Sequence, residues 1–303
     1  MVSEHPESVG PVSVEPVGPA SAEPVGPASA EPVGPASVES VGSVSVDPAD
    51  GGRWTSLRLA GREWLWSGPG LLTGPREGHE AFTDAGGLDE CFPTVRGTPD
   101  HGGLWNQPWE SSVTYADTTL TRTFTGDAET VAVDYRLQAP PGFRFIWAAH
   151  ALLDCAVGAT ISAPSGTNCR LYPEAADLLP NPWPANAPWI TETWPQPGGI
   201  DLGTYGPSDG TAVGAILIDC PTVNVVDRDA ELTWTLSCPG QPVSTALWRN
   251  LAGFPDEAPY RSLGVEPMLG RVFDLAEAGP DDAAVVPASG ELAWRLTASA
   301  RPV

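Results

Sequence analysis

From residue 48 onward this chain alternates. Trp54–Leu59, Ser112–Tyr115, Thr119–Thr125, Thr130–Leu137 and Phe143–Ala149 place polar residues between apolar or β-branched ones. Ala212–Ile218, Thr222–Val226, Glu231–Ser237, Ser244–Trp248 and Glu291–Ala298 do the same. Successive side chains of a strand point to opposite faces, so period two predicts strands with one face buried and one wet. The connectors Gly126-Asp127, Pro141-Gly142 and Pro239-Gly240 are turn dipeptides,. No dozen-residue window carries a helical stripe, and only Asp274–Ala278 predicts a single turn of helix,. Residues 48–303 therefore predict an all-β fold, a large antiparallel β-sandwich too long for an immunoglobulin-type domain.

Residues 7–46 are five units of eight, with EPVGPASA at Glu15–Ala22 and again at Glu23–Ala30. Pro, Gly, Ser and one acid per unit, with no aromatic, cannot bury enough apolar surface to offset the entropy of ordering. The expected organisation is a disordered octapeptide-repeat tail over residues 1–47 and one domain over 48–303. The period is too short for solenoid or propeller repeats.

All fifteen basic residues are Arg, and 38 acids bring the net charge to -23. An acidic surface of this kind repels phosphate backbones and anionic lipid, so neither nucleic acid nor membrane is expected as a partner. The N-terminal MVSEHPES lacks the basic and apolar regions of a signal peptide, and no run of about 18 apolar residues exists,. Five widely spaced cysteines without a C-x-x-C pair read as reduced, buried thiols, and a cytoplasmic protein without a metal site is expected,.

Chemistry concentrates in three places. The stretch Pro99-Asp-His-Gly-Gly-Leu-Trp-Asn-Gln-Pro-Trp109-Glu110 sets His101 beside two glycines and spaces Trp105 and Trp109 four apart, a mixture suited to a polyhydroxylated ring,. It also describes a turn with two core tryptophans. His150 ends the apolar run FRFIWAAH, and Glu266 stands in Leu-Gly-Val-Glu-Pro-Met-Leu-Gly. Each has a plain alternative, a buried histidine bonded to backbone or a surface acid before a turn-forming proline. Asp89 and Glu90, after Gly86-Gly87, are candidate ligand-binding acids or the acids of an exposed turn,. The segment 172–199, with six prolines and three tryptophans, reads as an ordered loop over one face; Trp183, Trp189 and Trp194 wall a cleft or form the loop's own core,.

A His-Gly pair in the first third, a second histidine closing a central strand and a Glu-Pro near the C-terminus, in that order, resemble the galactose mutarotase-like, or aldose 1-epimerase, superfamily over residues 48–303. The resemblance implies a β-supersandwich and interconversion of the α and β anomers of a free monosaccharide, with no cofactor. It implies Glu266 as base, His150 as acid and His101 as a second imidazole near the ring oxygen. Two departures stand out. Where phosphosugar epimerases of the superfamily carry an arginine after the His-Gly pair, this chain has Trp105, leaving Arg96, Arg249 and Arg261 unassigned. Where ordinary galactose mutarotases have an Asn and Arg pair, it has Gly86-Gly-Leu-Asp-Glu-Cys-Phe-Pro93. Paired carboxylates of a glycosidase could come from Asp89 or Glu90 with Glu266, but the two histidine contexts favour epimerisation. The competing reading is a non-catalytic carbohydrate-binding or sugar-sensing module on the same fold.

Overall fold

The computed structural model describes residues 39–41, 43–68 and 85–303. Residues 1–38, and with them four of the five repeat units, lie outside the described residues, as do 42 and 69–84. The described chain is an antiparallel β-sandwich. An eleven-stranded sheet runs in the spatial order Glu39–Val41, Val44–Asp47, Arg53–Leu59, Leu88–Cys91, Trp147–Leu153, Tyr260–Leu269, Val243–Phe254, Thr211–Leu217, Asn168–Leu171, Ile190–Thr193, with Arg62–Glu63 beside Arg53–Leu59. A seven-stranded sheet runs Thr160–Ser162, Thr222–Asp227, Ala230–Ser237, Glu291–Pro302, Thr130–Gln138, Thr118–Gly126, Ser112–Tyr115.

The smaller sheet follows the alternation of its sequence. In Glu291–Pro302, Leu292, Trp294, Leu296, Ala298 and Ala300 are buried, and in the paired Thr130–Gln138 so are Val131, Val133, Tyr135 and Leu137. Each of the larger side chains contributes about 1.5–3 kcal/mol by leaving water. They meet Ala149, Ala151, Leu153, Leu263, Val265 and Leu269 of the larger sheet to make the main core.

The centre of the larger sheet is covered on its other face too. Ala148, Ile216, Ala246 and Met268 point away from the main core into a second cluster, closed by Val95, Tyr172, Val272 and Phe273 from the crossing loops. Every residue of Trp147–Leu153 and of Leu88–Cys91 is consequently buried. This explains a strand that alternation does not reveal. Tyr260–Leu269 is buried on both faces from Ser262 onward, as strands covered on both sides are, so it lacks the alternation of a half-wet strand, and Pro267 within it mimics a turn,.

Two further points depart from the sequence expectations. The folded part begins before residue 48, because Val44–Asp47 pairs with Arg53–Leu59 and buries Val44 and Val46. The local strand signal is the alternation of Val44-Ser45-Val46-Asp47, the last three residues of the repeat and the one after it,. In the proline-rich segment, Ile190–Thr193 forms a strand, but at the sheet edge, where proline neighbours are tolerated,. The predicted helical turn is present as a 3-10 turn, Leu275–Glu277, capped by the Asp274 side chain accepting from the Ala276 amide,.

Candidate active site

The site is built on the outer face of the larger sheet. His150 is paired in register with Asp89 on one neighbouring strand. On the other neighbour, Ala148 faces Met268 and Leu152 faces Gly264, so the register sets His150 opposite Glu266. Glu266 in turn faces Ala246. Cross-strand partners share a face, and one row across the sheet thus holds Asp89, His150, Glu266 and Ala246. His150 Nε2 lies 3.8 Å from Glu266 Oε1. Room for the carboxylate is made by Gly264, two residues away on the same face: a Cβ there would stand 2.3 Å from Glu266 Oε1 and 2.9 Å from Trp248 Cβ.

His101 arrives from a loop. Its amide donates to the Val95 carbonyl (2.8 Å) and the Gly103 amide to the Phe92 carbonyl (2.8 Å), which folds the His-Gly-Gly turn onto the end of the Leu88–Cys91 strand. Gly102, at φ +76°, lies so close that a Cβ would be 2.0 Å from the Phe92 carbonyl oxygen. The glycine therefore serves a close backbone approach rather than exposure of the imidazole. The turn sets the His101 ring edge-on to His150, with centroids 5.0 Å apart and planes at 84°. Asp100 Oδ1 lies 3.0 Å from His101 Nδ1.

Above these three side chains opens a cavity of about 650 Å³, lined by residues including His101, His150, Glu266, Trp248, Phe254 and Tyr260. Its size and mixture of aromatic walls with a few convergent polar groups are those of a small-molecule site.

A scan against protein-family models finds no match, and no curated protein sequence matches the chain. Solved structures do. A candidate aldose 1-epimerase from Escherichia coli K12 superposes with a TM-score of 0.62 at 14% identity, covering 88% of this chain and 98% of that one. A galactose mutarotase related enzyme from Lactobacillus acidophilus gives 0.52 at 11% identity, covering 88% and 97%. A galactose mutarotase-like protein from Lactobacillus casei gives 0.51 at 13%, covering 85% and 96%. The chain has the galactose mutarotase-like fold.

Within this mutarotase-like fold burial shifts Glu266 and His150. Burial raises the Glu266 carboxyl above its ordinary value, against the lowering charges of His150 and Arg96. Burial lowers His150, aided by His101 and opposed by Glu266 and Asp89. Desolvation thus moves the two groups toward each other. At Asp100 burial works to raise the carboxyl, but the hydrogen bond to His101 and the charges of His101, His150 and Arg96 together hold it below its usual range.

Four of the seven sequence candidates are not at the cavity. Asp89 shares the site face and neighbours His150, but it is fully buried and gripped by Arg53, whose Nε and Nη2 donate to Oδ1 (3.3 Å) and Oδ2 (3.1 Å). Its acceptors serve the protein. Glu90, one residue on, points through the sheet into the main core, where it accepts from Tyr135 OH (2.7 Å), Trp147 Nε1 (2.7 Å) and Arg122 Nη1 (3.2 Å). Trp105 and Trp109 are each 1% exposed. The Trp105 indole donates to the Asp100 carbonyl, and Trp109 packs in the main core under the Arg122 guanidinium. Burying two indoles under a loop outweighs leaving them as an open platform.

The tryptophans of the proline-rich segment also pack rather than line the cavity: Trp194 is buried in the main core, Trp183 packs against it, and Trp189 lies against Tyr172 and Arg170. Arg249 donates to the Asp201 carbonyl and Arg261 to those of Gly206 and Cys155. Arg96 alone of the three unassigned arginines lines the cavity. The aromatic wall of Trp248, Phe254 and Tyr260 escaped the sequence reading. Its signal was present in one hairpin, Val243–Phe254 and Tyr260–Leu269, whose second strand also carries Glu266.

Proposed function

We propose that the chain interconverts the α and β anomers of a free aldose by acid–base opening and closure of the hemiacetal. The observation that supports this is the meeting of His101, His150 and Glu266 in one cavity, with His150 Nε2 3.8 Å from Glu266 Oε1. The C1 hydroxyl and the ring oxygen of a hemiacetal share a carbon, so the base for one and the acid for the other must be near neighbours.

Glu266, ionised, takes the proton of the C1 hydroxyl, and C1–O1 becomes a carbonyl. The bond from C1 to the ring oxygen breaks, its electron pair goes to that oxygen, and His150 as imidazolium supplies the proton. Rotation about C1–C2 and reversal of both transfers close the other anomer. Each proton transfer contributes roughly 10² to 10⁴ in rate. His101, edge-on to His150, stands as a second polar group on the ring-oxygen side. Because reverse closure exchanges the donor and acceptor roles, two groups whose proton affinities are drawn together suit the reaction better than a strong acid with a strong base. Trp248, Phe254 and Tyr260 offer apolar faces to the C–H side of a pyranose. The five cysteines are free and buried, in keeping with a cytoplasmic enzyme.

Purified protein is expected to speed the approach of freshly dissolved α-anomers to equilibrium, followed by polarimetry across a panel of aldoses. Glu266→Gln and His150→Asn are each expected to cut turnover about 10²-fold or more while aldose binding persists. Aldose binding with no acceleration for any sugar would instead identify a non-catalytic sugar-binding module.

A further inference from the structure

Among the described residues one arginine lines the cavity, and it is already engaged. Arg96 Nη1 lies 2.7 Å from Glu174 Oε1. The guanidinium carbon sits 4.4 Å from the Phe273 ring centroid and 5.1 Å from that of Tyr172. Beneath it is Gly214, where a Cβ would be 2.7 Å from Arg96 Nη2, so the guanidinium lies closer to the strand than a larger residue would let it, and 3.6 Å from Glu174 Oε2, an ordinary contact. Glu174 comes from the 3-10 turn Pro173–Leu178, anchored by buried Ala175 and by Tyr172 beneath Arg96. Guanidinium and carboxylate are therefore both held, not merely adjacent.

Among the described residues, the charges around Arg96 are mainly acidic. Asp100, Glu174 and Glu266 line the cavity with Arg96. Glu277 also feels the Arg96 charge, and Asp274 bridges to the Arg96 backbone. Arg53, on the far side of His150, is occupied by Asp89. A phosphate entering this space would have to displace Glu174 and then sit among the remaining carboxylates, which repel it over short distances in a partly desolvated site.

We propose that Glu174 is a specificity-determining residue that occupies Arg96 and reserves the cavity for uncharged aldoses, excluding sugar phosphates. This rests on the aldose reading of the same cavity and adds the charge class of the substrate. Uncharged hydroxyls can still donate to Glu174 and Asp100 or accept from Arg96 without breaking the ion pair. A dianion cannot. Specificity of this kind comes from the repulsive element as much as from the attractive one.

The test is calorimetric titration of glucose, glucose 6-phosphate and inorganic phosphate into the wild type, Glu174→Gln, Glu174→Ala and the double variant Glu174→Gln/Arg96→Gln, with glucose mutarotation measured in parallel. Glu174 is one-third exposed, and the Gln variant keeps its volume, so the fold is expected to survive. The expected result is that both single variants bind glucose 6-phosphate and inorganic phosphate at least tenfold more tightly than the wild type, that the gain falls with added salt, and that the double variant loses it. Unchanged phosphate affinity in both single variants overturns the inference, as does a wild type that binds glucose 6-phosphate more tightly than glucose. A wild type that turns over no aldose, together with a phosphate gain in the single variants, removes the proposed activity but leaves the exclusion by Glu174 standing.

Discussion

His150 and Glu266 face each other across two central antiparallel strands, 3.8 Å apart at Nε2 and Oε1, although 115 residues separate them in the sequence. Burial raises the carboxyl and lowers the imidazole. Neither shift is the work of an opposite charge. Each reflects the cost of an ion in a nearly dry site, and both bear on how activity should depend on pH.

The reactive form needs Glu266 ionised, hence pH above its raised value, and His150 protonated, hence pH below its lowered value. The acid limb of kcat/KM is therefore expected above the ordinary carboxylate range and the alkaline limb below the ordinary imidazole range, a narrow bell whose limbs belong to the pair. Because His101 lowers His150, His101→Gln is expected to move the alkaline limb to higher pH. A broad plateau from pH 5 to 8 would show that these two groups do not carry the proton transfers.

Trp248 and Trp105 should separate cleanly. Trp248→Ala removes a cavity wall and is expected to weaken aldose binding and erase any sugar-induced fluorescence change. Trp105→Ala empties a core position and is expected to lower unfolding free energy by about 3–5 kcal/mol while the folded fraction still binds sugar. Denaturant titration and ligand titration of the two variants check this.

Glu90 is predicted to matter for stability and not for chemistry. Glu90→Ala strands the fully buried Arg122, which retains the Gly52 carbonyl (2.7 Å) but loses its carboxylate. A loss of about 3–5 kcal/mol is expected, the usual result of breaking one half of a buried ion pair, measured by urea unfolding. Aldose turnover at full folding should be unchanged, since Glu90 lies on the opposite face of the sheet from Glu266.

Two truncations test where the fold starts. Removing residues 1–38 is expected to leave the melting temperature nearly unchanged, because the Pro-, Gly- and Ser-rich repeats have few side chains with which to join a core. Extending the deletion through Asp47 removes two strands, Glu39–Val41 and Val44–Asp47, with buried Val44 and Val46, and a drop of several degrees is expected by calorimetry.

Alternation in the sequence determined the all-β class and most strands of the smaller sheet, because that sheet has one wet face and its pattern is written in every second residue. The histidine closing an apolar strand and the Glu-Pro in an apolar run made His150 and Glu266 stand out, and the resemblance to the mutarotase-like superfamily supplied their expected pairing. Three decisions belonged to tertiary structure. Of the adjacent acids Asp89 and Glu90, one faces the site and one the core, and only the register with His150 settles which,. Trp105 and Trp109 sit on a loop with no period to assign a face, and the core claimed them. Arg96 is one arginine among fifteen, and its meeting with Glu174 over Gly214 depends on three distant segments packing together. Local pattern fixes what a residue needs, burial or water. Which partner meets that need is fixed by contacts between residues far apart in the chain.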